Sequence, residues 1–226
     1  MSARRHVSVV LAATLGLFAC NAVLGIEPAE IDPAAGDAAP TGAVTACSDY
    51  CTKIAKTCVG ANKQYTAPDV CLAMCANLEP GAAGAVSGNS LACRLTHVGL
   101  AVNDPVTHCP HAGPLGTGTC GTSCESFCLQ DVALCRAPNP RPYLDQGDCL
   151  TQCNAGASGS FRFVSGTSVD DEGIQSTDSL NCRIYHLERA YEPTLAAEHC
   201  PHTARVSTKC VGASVDAGVT DAKGGG

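Results

Sequence analysis

The chain has 226 residues and a net charge of −7, with 17 cysteines, four Phe, five Tyr and no tryptophan. Few large side chains leave little to fill a core, and domains of about 70–90 residues bury only about 60% of their unfolded surface, so disulfides are the expected staple. The charge runs +2 from Arg4 and Arg5, −4 over residues 21–46, 0 over 47–120, −4 over 121–210 and −1 beyond; without a concentrated basic face, nucleic acid is excluded as a partner.

Residues 1–19 read as a signal peptide: a charged start at Arg4-Arg5, then the apolar run Val7 to Ala19, shorter than the ~20 residues that span a bilayer. The run ends in Leu17-Phe18-Ala19-Cys20, which resembles the lipobox of bacterial lipoproteins, although Phe18 departs from the usual small middle residue. Cysteine parity points the same way, because 16 of the 17 cysteines fall into two groups of eight and Cys20 is left over. The resemblance implies lipidation at Cys20 and a membrane anchor in the bacterial cell envelope. Asn21 after the cysteine favours the outer membrane. The alternative is an ordinary secretory signal cut elsewhere, for instance after Gly25. Residues 20–46, lipidated cysteine included, read as a disordered acidic tether carrying Glu27, Glu30, Asp32 and Asp37. The tail, residues 211–226, has a similar composition and is expected to be disordered.

Between them lies a tandem repeat. Cys47, Cys51, Cys58, Cys71, Cys75, Cys93, Cys109 and Cys120 set a spacing that recurs in Cys124, Cys128, Cys135, Cys149, Cys153, Cys182, Cys200 and Cys210. The expected fold is mainly α, small and disulfide-rich: two tandem three-helix modules joined by loops, residues 47–120 and 121–210, with about four disulfides each.

In the first copy, Cys47, Cys51 and Cys58 share one helical face, as do Cys124, Cys128 and Cys135 in the second. A second helix is expected from Thr66-Ala67-Pro68-Asp69, with Thr66 as the cap and Pro68 early in the helix. It carries Cys71 and Cys75. Two helices facing each other through C-x3-C pairs resemble the disulfide-stapled hairpins of hairpinin-type peptides and coiled-coil-helix proteins. That resemblance implies Cys47–Cys75 and Cys51–Cys71, one arrangement among the 105 connectivities that eight cysteines allow. A third helix shows an apolar stripe, Leu91, Leu95, Val98 and Val102, repeated as Leu180, Ile184, Leu187 and Tyr191. Cys93 and His97 lie on the opposite side of it. Before this helix the second copy has eleven more residues, including Phe161-Arg162-Phe163-Val164 and Asp170-Asp171-Glu172. They read as a recognition loop with an exposed aromatic patch or as a tolerated surface insertion.

The histidines after residue 20 all recur: Cys93-Arg94-Leu95-Thr96-His97 with His108-Cys109-Pro110-His111, and Cys182-Arg183-Ile184-Tyr185-His186 with His199-Cys200-Pro201-His202. One reading is a Cu or Zn site per copy, from His97, His108 and His111 and from His186, His199 and His202. The other is structural, with the rings capping helix ends around the cysteines. Arg94 and Arg183 could grip an anion or bond within the module. No catalytic residue is indicated, since G-x-S-x-G, H-E-x-x-H, phosphate-binding loops and redox C-x-x-C are all missing. The module pattern resembles uncharacterised cysteine-rich envelope lipoproteins, implying a non-enzymatic binding or structural role. Its partners would be the membrane, through the anchor, and an unknown protein or polysaccharide. A metal-binding lipoprotein is the first alternative and an envelope enzyme of unfamiliar type the second.

Overall fold

A computed structural model describes residues 41–136 and 141–212. The signal peptide, Cys20 and most of the tether lie outside these residues, as does the tail beyond Gly212. The described chain is mainly helical and disulfide-rich: α1 (Thr41–Thr57), α2 (Pro68–Cys75), α3 (Leu91–Ala101) and α4 (Pro105–Ala112), then α5 (Ser123–Leu134), α6 (Gln146–Ala155), α7 (Leu180–Ala190) and α8 (Ala196–His199). Short 3-10 turns cover Gly60–Asn62 and Cys200–Thr203.

Cys47 is bonded to Cys75 and Cys51 to Cys71, stapling α1 to α2; Cys58–Cys109 ties the end of α1 to α4, and Cys93–Cys120 anchors α3. The second copy repeats this as Cys124–Cys153, Cys128–Cys149, Cys135–Cys200 and Cys182–Cys210. These eight bridges stay within their own copies.

Several expectations change. Helix α1 starts at Thr41, so residues 41–46 of the expected tether are helical. Helix α2 is capped by Ala67 without a side-chain bond, because Thr66 turns away and donates its backbone N–H to Glu188 Oε2 at 2.7 Å. Each copy has a fourth helical segment around its H-C-P-H. In the first copy this is α4, opened by Asp104, whose carboxylate accepts from Thr107 N at 3.2 Å, and by Pro105 in its first turn. On α3, Leu91 and Val98 are buried as the stripe predicts, yet Val102 is 70% exposed. At the far end, Val211 and Gly212 donate to the Ser176 carbonyl, so the tail's first two residues are held to the loop before α7.

The long loop of the second copy is not an exposed patch. Phe161 is 2% exposed, packed on Phe127 with ring centroids 5.9 Å apart and lying under the Arg183 guanidinium. Phe163 packs against the same core. The loop then reaches back to the first copy, where Val169 N donates to the Lys63 carbonyl at 3.3 Å and Asp170 pairs with Lys63.

The two copies meet along a polar seam. Gln130 Nε2 on α5 donates to the Met74 carbonyl at 3.0 Å, and Asn77 Nδ2 donates to both Gln130 Oε1 and the Tyr191 hydroxyl. Arg94 Nη2 donates to Ser126 Oγ at 3.1 Å, and that hydroxyl donates to Asn89 Oδ1. Glu188, wholly buried, accepts from Thr66 N in the same seam.

Candidate metal centre

Each histidine trio is built from two elements that covalent and polar contacts hold together. Ser90 caps α3 by accepting from Cys93 N, and the Cys93–Cys120 bridge fixes the first turn. His97 sits one turn later on the same face, 5% exposed. Helix α4 brings His108 and His111, i and i+3, on either side of Cys109, which is tied to Cys58.

Arg94 clamps the end of α4. Its side chain is 0% exposed; Nε donates to the Gly113 carbonyl at 3.1 Å, Nη2 to the Pro114 carbonyl and Nη1 to the Ser90 carbonyl. The Tyr50 hydroxyl adds a 2.6 Å bond to the Ala112 carbonyl. Satisfying these carbonyls is what lets an arginine sit in the interior. It therefore positions the trio and is not left to grip a ligand.

His97 Nδ1 lies 3.0 Å from His108 Nδ1, and His97 Nε2 lies 3.1 Å from the Val86 carbonyl. A carbonyl only accepts, so Nε2 carries the hydrogen and neutral His97 presents its Nδ1 lone pair to the trio. This second bond is how metal-binding histidines are commonly oriented. The rings stand 5.0 to 5.8 Å apart, and one nitrogen from each of His97, His108 and His111 lies within 4.8 Å of the others. His111 Nδ1 is buried without a hydrogen-bond partner. Burial, then the neighbouring His97 and His108, pull His111 below the usual histidine pKa.

The second copy repeats the gathering of the three rings but not the carbonyl bond, since His186 Nε2 is buried without a hydrogen-bond partner. His186 Nδ1 lies 2.9 Å from His199 Nδ1, and the ring of His202 stands 4.7 Å from that of His186. His202 Nδ1 is buried without a partner, like that of His111. Burial first, and then His202 and His199, lower the pKa of His186 to about 4; His199 and His202 are lowered too, mainly by burial. Neutral imidazole is the form that binds metal. Arg183 holds this copy's loop through the Ala204 and Arg205 carbonyls, and Tyr143 donates to the Thr203 carbonyl at 2.8 Å.

The structure thus gathers all six histidines into two sites. Cys93 and Cys120 lie beside His97, and Cys182 and Cys210 beside His186, but each pair is a disulfide and offers no thiolate. No carboxylate joins either trio among the described residues. Three neutral nitrogens with room for a further ligand suit Zn²⁺ or Cu²⁺: a tetrahedral ion with bonds of about 2.0–2.1 Å needs nitrogens about 3.3 Å apart. The Nδ1 pairs are already near that spacing, and the third ring has a nitrogen within 4.8 Å of both. Sequence reasoning missed the supports Val86, Tyr50 and Tyr143. A signal existed for two of the other supports: Ser90 and Ser179 both stand three residues before a repeat cysteine, where a helix cap belongs.

Residues 32–124, spanning the first copy, match the BfoA family C-terminal domain. Curated relatives are fungal. The Aurasperone B biosynthesis cluster protein A of Aspergillus niger is 39% identical over 64 residues, 28% of this chain and 21% of the relative. The same protein from another strain of that species is 38% identical over 64 residues, again 28% and 21%. The Bifonsecin B biosynthesis cluster protein A of Aspergillus brasiliensis is 38% identical over 64 residues, 28% of this chain and 22% of the relative. The chain spans about a fifth of the length of the curated relatives it matches. No solved structure matches. Among the described residues, no helix is long and apolar enough to cross a membrane.

These matches overturn the resemblance to bacterial lipoproteins and the outer-membrane location that rested on it. The curated relatives are cluster proteins of Aspergillus, and a four-residue lipobox at the edge of an apolar run is a far weaker signal than 39% identity over 64 residues. The first copy of the cysteine repeat is similar to the C-terminal domain of the BfoA family.

Proposed function

We propose that this chain is a non-enzymatic metal-binding protein with one three-imidazole site per copy for Zn²⁺ or Cu²⁺. The observation that carries the reading is that both copies bring three histidines from two separate elements within 4.8 Å, with facing nitrogens 3.0 and 2.9 Å apart. Burial holds His111, His186, His199 and His202 below the usual histidine pKa, which favours the neutral form whose lone pair binds metal. The arginine clamps and the cysteine bridges fix the carriers before any ion arrives, which reduces the ordering cost of binding. The relatives' names, cluster proteins of aurasperone B and bifonsecin B biosynthesis, suit an accessory part beside such chemistry.

Calorimetric titration of the oxidised chain with Zn²⁺ and with Cu²⁺ tests this. Two equivalents are expected, falling to one when His97, His108 and His111 are changed to Ala, and to one when His186, His199 and His202 are. Undiminished uptake in both triple variants would place the metal elsewhere.

A further inference from the structure

The seam between the copies leaves one end of each copy unused. In the second copy, the outer side of α5 and α7 presents Gln130, Glu188 and Tyr191, and the first copy covers it with Thr66, Met74 and Asn77. The repeat register places Lys53, Gly99 and Val102 at the positions of those three: Lys53 follows Cys51 by two residues as Gln130 follows Cys128, and Gly99 and Val102 follow Cys93 by six and nine as Glu188 and Tyr191 follow Cys182. They lie together around one open depression of about 570 Å³, with Lys56, Val98 and Pro105 completing its wall. Val102 is 70% exposed and Val106 beside it 67% exposed, and a Cβ added at Gly99 would meet nothing. A face that is covered in one copy is therefore bare in the other.

The opposite edge behaves in the same way. Leu144, Gln152 and Ala155 of the second copy stand where the first has Thr66, Met74 and Asn77. Leu144 is 67% exposed and Ala155 is exposed. The buried arginines mark the same asymmetry. Arg94 completes its hydrogen bonds on Ser126 of the following copy, whereas Arg183 uses Asp178 of its own at 2.9 Å.

We propose that the bare α1–α3 face of one chain receives the α6 edge of a second copy of this chain, repeating the internal seam head to tail between molecules. The chemistry of the two free surfaces is matched. Where the internal seam pairs Glu188 with Thr66 and Tyr191 with Asn77, the free ends offer Gly99 and Val102 to Leu144 and Ala155, an apolar contact in place of a polar one. Lys53, whose Nζ pairs with Asp49 of its own helix at 2.7 Å and carries further donor hydrogens, replaces Gln130 as the donor facing a carbonyl, that of Gln152 in place of Met74. The lysine-bearing face, with Lys53 and Lys56, meets an edge carrying the exposed Asp145 and, beside it, Asp148. Such a contact is heterologous, so it grows into rings or filaments and not a closed two-fold dimer.

Sedimentation of the full chain over a range of concentrations tests this with two exposed-site variants, Val102→Asp and Leu144→Asp. The wild-type chain is expected to pass beyond dimers as concentration rises, and each variant to stay monomeric, because each lacks one of the two surfaces. An equimolar mixture of the variants retains one intact pair of surfaces and is expected to give a heterodimer that grows no further. A wild-type chain that is monomeric throughout overturns the proposal. So do variants that associate as the wild type does, or a mixture that forms no dimer.

Discussion

The two copies share eight bridge positions, yet they bury different chemistry. Where the first copy has Tyr50 and Ile54 on α1, the second has Phe127 and Asp131 on α5. Where the first has Gly99 on α3, exposed, the second has Glu188 on α7, wholly buried. The first copy's interior is closed by a tyrosine pair, Tyr50 and Tyr65, with hydroxyls 2.8 Å apart. The second carries two interior carboxyls, both pushed up by burial: Asp131 to about 7 and Glu188 to about 8. The staples therefore hold the backbone so firmly that the residues between them can change in polarity without changing the fold, while the histidines and arginines stay in place.

The largest expected effect comes from removing what only the second copy has in its long loop. Phe161→Ala deletes a ring packed on Phe127 and Arg183 and should cost about 3–5 kcal/mol in denaturant unfolding. Arg183→Met should cost a similar amount, about 3–5 kcal/mol, because it takes the donor from four carbonyls and removes the ion pair to Asp178, which keeps only the Ser160 hydroxyl. Arg94→Met, which loses no ion pair, should cost less than Arg183→Met. Equal losses at the two arginines would mean that the Asp178 pair adds nothing.

The interior acids give an effect with a definite sign. With Glu188 raised to about 8 and Asp131 to about 7, the folded chain holds protons that the unfolded chain has already released above about pH 4–5. At these two groups the folded state then binds more protons, so their contribution to stability falls as pH rises from about 5 to 8 and levels off above the folded values, while the histidines held below their usual pKa act in the opposite sense below about pH 6.5. Glu188→Gln keeps the acceptor for Thr66 N and removes the titration. It should raise the melting temperature more at pH 8 than at pH 5, and Asp131→Asn should do the same to a smaller extent. An unchanged difference between the two pH values would show that these carboxyls are ionised in the folded chain.

The smallest effect is expected at Tyr50. In the second copy Phe127 and Tyr143 do the work of the tyrosine pair, with Tyr143 bonding the Thr203 carbonyl. Tyr50→Phe copies that arrangement and should cost only about 1 kcal/mol, since the Tyr65 hydroxyl occupies the matching position and can turn to the Ala112 carbonyl. A loss of several kcal/mol would show that Tyr65 cannot make that turn.

Much of this was legible from residue spacing. Cysteines at i, i+4 and i+11 fix a helical face whatever surrounds it, and Leu180, Ile184 and Leu187 are buried as their period requires. The histidine trios could be seen as recurring sets, but not as convergent ones, because α3 and α4 are brought together by a turn at Asn103-Asp104 whose direction spacing does not encode. Asp104-Pro105 is itself a helix-start signal that predicts α4, and the three-helix expectation for each module left it out. Phe161 and Glu188 were out of reach for another reason. An aromatic in a long insertion and a carboxylate on a polar-looking helix turn inward only because Arg183 lies over the one and the first copy's Thr66 reaches the other. Val102 shows the converse, an apolar position left at the surface because the face that covers its counterpart belongs to a neighbouring copy.

The proposed function requires a three-imidazole site in each copy. X-ray absorption of the zinc-loaded, oxidised chain at two equivalents addresses this directly. It should show three imidazole nitrogens per zinc at about 2.0–2.1 Å, no sulfur neighbour, and the same spectrum from either triple-histidine variant loaded to one equivalent. A sulfur shell, fewer than three imidazoles per zinc, or a chain that retains no zinc would contradict it.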